Sequence, residues 1–157
     1  MLAGLTGLVV LKTTGSEFWG FPRDEYTTLA ETRDRILATA VSARWRYAGT
    51  DLDWDAAFSG VRTALLEAFA GTHSLALQQT LFAMGEAALK AEAAVAEIRL
   101  SLPNKHHFLQ DLSAFGLDNP DLVYHADDRP SGLIEATVER DDVPPAPAAW
   151  EGTPGFC

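Results

Sequence analysis

The chain has 157 residues, room for one domain with a sizeable core, and its 22 acidic against 12 basic side chains give a formal net charge of −10. That balance excludes nucleic acid as the expected partner, because phosphate binding takes clustered Lys and Arg, and any anionic ligand must be held by a few local cations. The one cysteine, Cys157, excludes an intrachain disulfide and a cysteine-rich metal site and points to a reducing, cytoplasmic setting. In chain order, residues 2–11 are apolar but too short to span a bilayer and lack a basic leader, so no membrane partner is expected. Residues 8–14 are β-branched and apolar before Gly15-Ser16, which predicts a first strand. Residues 17–29 read as irregular. Strict alternation over residues 35–47, with Arg35, Leu37, Thr39, Val41, Ala43, Trp45 and Tyr47 on one parity, predicts a long second strand.

Asp53 is positioned to cap a helix in which Trp54, Phe58, Val61, Leu65 and Phe69 recur at helical spacing. A second helix is expected from near Ser74, with Leu77, Leu81, Met84 and Ala88 on one stripe. Residues 95–109 read as a third strand and 132–140 as a fourth, joined by a loop containing Gly116, Asn119, Pro120, Arg129 and Pro130. The order ββααββ predicts an α+β fold: an antiparallel sheet with two helices packed on one face. Its edge strands call for cover by assembly. One domain is expected over residues 1–140, and the Pro-rich tail over 141–157 is expected to hold no helix or sheet. The tail ends Gly155-Phe156-Cys157, without a peroxisomal Ser-Lys-Leu.

The third strand carries the most informative run, Leu102-Pro103-Asn104-Lys105-His106-His107-Phe108. Ile98, Leu100, Leu102, Asn104, His106 and Phe108 share one face, while Glu97, Arg99, Ser101, Lys105 and His107 share the other. An amide and an imidazole therefore continue a core face, either as satisfied polar residues at a strand end or as parts of a site. Pro103, which gives no ladder N–H, could shift the register through a bulge. The 4 histidines have no metal-ligand spacing: His106 and His107 face opposite ways, His73 lies near a helix junction and His125 in a loop, so no metal site is expected. Asp127-Asp128 and Asp141-Asp142 read as solvated loop charge.

Several stretches together resemble the C-terminal half of urate oxidase (uricase). They are Leu11-Lys12-Thr13-Thr14-Gly15-Ser16-Glu17-Phe18-Trp19-Gly20-Phe21, Arg23-Asp24-Glu25-Tyr26-Thr27-Thr28-Leu29 and Asp34-Arg35-Ile36-Leu37-Ala38-Thr39. His73-Ser74-Leu75-Ala76-Leu77-Gln78-Gln79-Thr80, residues 101–108 and Gly132-Leu133-Ile134-Glu135-Ala136-Thr137-Val138 continue the resemblance in the same order. It implies the tunnelling fold, in which two ββααββ domains form a subunit and sheets close into barrels between subunits of a homotetramer.

The resemblance also implies a site. Phe18 would be the wall on which a planar purine stacks, Arg35 and Gln78 clamps on opposite purine edges, and Leu77 and Leu29 apolar neighbours. Asn104 would help hold dioxygen or water above the ring, and His106 would orient water as a relay. The implied reaction uses urate, dioxygen and water with neither metal nor flavin, giving 5-hydroxyisourate and hydrogen peroxide. A catalytic Lys and Thr would come from the N-terminal half, so an N-terminal tunnelling-fold half is the expected partner in a homo- or hetero-oligomer. Lys12 is not that Lys, since its context matches the start of the second domain. Two other readings stay open: a non-catalytic half that binds purine or only assembles, and another tunnelling-fold enzyme acting on a pterin or purine. Enzymes of that last kind usually anchor the heterocycle with a Glu.

Overall fold

The computed structural model describes residues 1–28, 30–127 and 132–153; Leu29, residues 128–131 (with Arg129 and Pro130) and residues 154–157 lie outside the described residues. The elements are β1 (Leu2–Lys12), β2 (Leu37–Tyr47), α1 (Trp54–Gly71), α2 (Leu77–Ala91), β3 (Val95–Leu109), β4 (Tyr124–Asp127) and β5 (Leu133–Glu139). Antiparallel pairing runs β1-β2-β3, with β5 on the first half of β3 and β4 on its second half. Both helices pack on one face, α2 across β3 and β5 and α1 against α2.

The first strand begins earlier than its sequence suggests. Gly4, Thr6 and Gly7 interrupt the apolar alternation there, and Gly7 takes φ 65° where the register slips between Leu5 and Leu8. Such a bulge needs a residue free to enter the left-handed region, which glycine does without a Cβ clash. Asp53 caps α1 as expected, its carboxylate accepting from the Ala56 N–H at 3.0 Å. The second helix starts at Leu77 rather than near Ser74, because Ser74 is extended and bridges in parallel to Ser16. Ala76 at the cap offers no side-chain acceptor, and the Gln79 side chain instead folds back, its Oε1 accepting the Leu75 N–H at 2.8 Å. At the other end of α2, Arg140 donates to the carbonyls of Leu89 in the last turn, Glu92 at the cap and Val95 at the start of β3, and so ties the helix end to the strand that follows.

The core lies between helices and sheet. Leu37, Val41, Trp45, Ile98, Leu100 and Leu102 meet Val61, Leu65, Leu81 and Met84, all nearly solvent-free. The register of β3 on β2 is unbroken through Pro103: Ser42 faces Ser101 and Thr39 faces Asn104 at one offset, so Pro103 inserts no bulge. The Thr39 hydroxyl donates to the Pro103 carbonyl at 2.8 Å. Pro103 is also the last β3 residue paired with β5, so β3 exchanges one neighbour for another immediately beyond it.

Further departures from the sequence reading lie in the loop, which also holds a 3-10 turn at Ser113–Phe115, and in the tail. The expected loop contains β4, too short for a periodic signal and created by its pairing with residues 106–109. The expected irregular tail contains a 3-10 turn, Pro147–Trp150. It forms because its last residue has a partner: Trp150 Nε1 donates to Glu97 Oε2 at 3.0 Å, and the Arg99 guanidinium lies 3.9 Å from the indole centroid. Glu97 is buried on the sheet face opposite the helices and also pairs with Arg46 at 3.4 Å and Arg99 at 2.9 Å. Among the described residues, no helix is long and apolar enough to cross a membrane.

Candidate functional site

After β1, residues 15–18 run between two neighbours. On one side Arg35 N–H donates to the Ser16 carbonyl at 2.9 Å, and Phe18 and Thr32 exchange backbone bonds at 2.8 Å. On the other, Ser74 N–H donates to Gly15 at 2.8 Å and Glu17 N–H donates to Ser74 at 2.7 Å. Three extended segments thus lie side by side, and they set Phe18, Arg35 and the start of α2 around one opening. Asp34 braces the entry: its carboxylate accepts from Thr14 Oγ1 at 2.7 Å and from Gly15 N–H at 2.9 Å. The Thr14 hydroxyl, followed by backbone N–H groups, holds this carboxyl below its ordinary pKa.

A cavity of about 510 Å³ opens there, within the range of small-molecule sites. Phe18, Arg35, Leu77, Gln78, Asn104 and His106 all line it, so six of the residues singled out from sequence converge; Leu29 lies outside the described residues. Phe18 stacks on Phe21 with centroids 4.5 Å apart, and the Arg35 guanidinium carbon is 4.9 Å from the Phe18 centroid. None of the ion pairs among the described residues includes Arg35, and its buried Nε has no hydrogen-bond partner. Burial lowers its pKa from the ordinary value. Arg nevertheless keeps its proton in proteins, so this is a desolvated fork of donors facing a cavity and suited to a planar anion.

The far wall belongs to β3, where Asn104 and His106 follow the neighbour exchange at Pro103. Asn104 N–H donates to the Gly132 carbonyl at 2.7 Å, so the main chain is held while the side chain faces the cavity. His106 is stacked on Phe108 at 5.7 Å between centroids, and Phe108 on His125 of β4 at 5.4 Å. The ring that steadies His106 is thus itself steadied by the unexpected strand. Lys105 and His107 border the cavity as well, His107 with Nδ1 3.2 Å from the Lys105 carbonyl.

Sequence reasoning missed Asp121 and Tyr124, which complete the rim. Asn119 places them: its Nδ2 donates to Gln110 and Val123 carbonyls at 2.8 and 2.7 Å, while its Oδ1 accepts from Leu122 and Val123 N–H at 3.0 Å. Asp121 sits at φ 56°, and Tyr124 Oη donates to its carboxylate at 3.3 Å. Burial, then the Asp121 charge, pushes the Tyr124 phenol up from its ordinary pKa. The only local signal was Asn119-Pro120, which announces a turn and says nothing about where it leads. Lys12 is elsewhere: its ammonium donates to the Thr72 carbonyl and lies 5.6 Å from the Phe69 centroid. Among the described residues, no three His, Cys, Asp or Glu side chains are grouped to hold a metal ion.

A family model described as Uricase matches residues 1–135. The uricase of Arthrobacter globiformis is 59% identical over 157 residues, covering 100% of this chain and 52% of that protein. The uricase of Aspergillus flavus is 41% identical over 151 residues, covering 88% of this chain and 50% of that protein. A crystal structure of the Arthrobacter globiformis uricase superposes with a TM-score of 0.90 at 59% identity, over 96% of this chain and 53% of that one. The chain thus spans about half the length of the curated relatives it matches. A match over most of the chain, at that identity and on the same α+β tunnelling fold, settles the kinship: the chain belongs to the uricase family.

Proposed function

We propose that this chain supplies the substrate-clamping half of a urate oxidase site. The observation that carries the reading is Arg35, a half-buried cation whose buried Nε has no hydrogen-bond partner, held beside an aromatic face in a cavity also lined by Gln78, Asn104 and His106. Urate is a planar anion with donors and acceptors around its rim. Phe18 offers it a stacking face, Arg35 a bidentate hold on one edge, and Gln78 an amide that donates and accepts on the other. Leu77, and Leu29 by resemblance, contribute apolar wall.

In the reaction proposed, urate deprotonated to its dianion passes one electron to dioxygen. The urate radical and superoxide then combine, forming a carbon–oxygen bond at C5 and a peroxide adduct. Peroxide leaves as hydrogen peroxide, carrying away two electrons, and water adds at the same carbon to give 5-hydroxyisourate. No external reductant enters, because urate is oxidised and dioxygen reduced by two electrons each. Asn104 holds dioxygen or water over the ring plane, and His106 orients that water and passes its proton. The base that forms the dianion comes in this reading from an N-terminal tunnelling-fold half, as a Lys and Thr across an interface, in a cytoplasmic setting. Neither metal nor flavin is assigned a role.

The competing reading is a half that binds purine without turning it over. Ultraviolet absorbance of urate separates the two. With a uricase N-terminal half co-expressed, urate should decay with stoichiometric hydrogen peroxide and no effect of chelator, whereas the chain alone should leave absorbance flat. Purine binding without decay in the co-assembly would leave the non-catalytic reading standing. Rapid decay by the chain alone would require a base within it, and Lys105 on the cavity wall is the residue to test, Lys12 being committed elsewhere.

A further inference from the structure

Resting on the purine-clamp reading, we propose that Ser74 and Thr80 are positioning residues that hold Gln78 at its place opposite Arg35 and so set the affinity of the clamp. The two clamps lie on different elements, and one short path joins them. Arg35 N–H holds the Ser16 carbonyl, Ser16 bridges to Ser74, and Ser74 Oγ lies 2.6 Å from Thr80 Oγ1 in the helical turn after Gln78. Two adjacent backbone pairings of about 4.8 Å each put the Arg35 and Ser74 main chains about 10 Å apart, and the hydroxyl pair then locks α2 to that frame.

Thr80 Oγ1 also reaches the Ala76 carbonyl at 3.2 Å. Ser74 Oγ also reaches the Thr72 carbonyl at 3.5 Å, so whichever hydroxyl donates across the pair, the chain of bonds ties the first turn of α2, which presents Leu77 and Gln78, to the segment before it. Both residues are fully buried. Stability alone does not call for hydroxyls at this place, since replacing both partners of a buried pair by apolar groups of similar shape is close to neutral. What the pair adds is direction: an oriented contact allows one register of α2 against residues 15–18, where apolar packing tolerates several. Ser16 contributes only its backbone, its own hydroxyl having no partner among the described residues. At the exposed end of the frame, Glu17 accepts from His73 Nε2 at 2.6 Å and from Trp19 Nε1, bracing the same junction from outside.

The test uses the chain co-assembled with a uricase N-terminal half and titrates it calorimetrically with 8-azaxanthine, a planar bicyclic purine analogue. The double variant Ser74→Ala/Thr80→Val should melt within about 3 °C of the parent. It should nevertheless bind about tenfold more weakly at unchanged stoichiometry, with KM for urate rising in step. Thr80→Ser, which keeps the hydroxyl, should restore parent affinity to the single Thr80→Val variant. Unchanged affinity in the double variant would overturn the inference, as would weakened binding that tracks a fall in melting temperature and ignores the returned hydroxyl. A parent assembly that binds no purine at all would instead bring down the clamp reading, and this inference with it.

Discussion

Arg35 faces two opposing costs. Its guanidinium is partly desolvated, and no carboxylate among the described residues offsets that loss, although Asp34 is its sequence neighbour. Asp34 is engaged by Thr14 and Gly15 instead, which keeps the arginine open for an anion from outside. Removing a charge-assisted fork from such a site costs about 3 kcal/mol, so Arg35→Ala in the co-assembly should weaken binding of 8-azaxanthine roughly a hundredfold. Parent-like affinity would remove Arg35 from the clamp. His106 and His107 are adjacent yet differently employed, His106 stacked on Phe108 in line with Asn104, His107 turned to the Lys105 carbonyl. His106→Ala should slow urate turnover by about 10²-fold, the usual contribution of a proton relay, and His107→Ala by far less. The reverse order in steady-state rates would show that His107 does the chemistry.

The elements that carry these residues are held by contacts of unequal tolerance. Gly85 in α2 faces Val138 of β5 so closely that an added Cβ would lie 2.5 Å from Val138 Cγ2 and 2.9 Å from its Cβ. Gly85→Ala gains up to about 1 kcal/mol of helix propensity but meets an overpacking cost of about 1–3 kcal/mol. The net should be a loss, read as a lower urea midpoint at unchanged slope; a higher midpoint would mean that β5 yields freely. Asp34 makes the entry to the site acid-sensitive. Its folded pKa is depressed, first by the Thr14 hydroxyl, so the bracing it provides is fully present above the ordinary carboxylate range and is lost as pH falls through the folded value. Purine binding should weaken on that acid limb, and Asp34→Asn should flatten it; an unchanged limb in the variant would place the sensitivity in another group.

At the scale of the whole molecule, the sheet keeps one face on the helices and leaves β1 as an edge with Val9 66% and Leu11 50% exposed. The segment between β3 and β4 adds Phe115 and Leu122, each 77% exposed. Apolar surface of this kind on a strand edge and a projecting loop favours association. The purified chain should therefore run above monomer mass in light scattering at micromolar concentration, and a clean monomer would contradict the expectation. Assembly and catalysis separate here, since sheet edges can be covered by any complementary copy, whereas turnover in the proposed reaction needs a base from the other half.

Periodicity determined the helices' apolar stripes and the extent of β3, and residue type the Asp53 cap, because each is decided by residues within a few positions of one another. The same alternation put Asn104 on the core face, and unbroken register through Pro103 sets it opposite buried Thr39, but beyond it Lys105 and His107, expected on the other face, line the same cavity as Asn104 and His106. The glycine-interrupted start of β1, the four residues of β4 and the turn at Trp150 were not legible, since each exists through a partner distant in sequence: Ala43 and Arg44 for β1, Phe108 for β4, Glu97 and Arg99 for Trp150. Motif resemblance named Phe18, Arg35, Leu77 and Gln78, yet nothing local announced Asp121 or Tyr124. Their place on the cavity rim depends on how Asn119 folds its loop back to Gln110, a contact across sequence that only the tertiary structure decides.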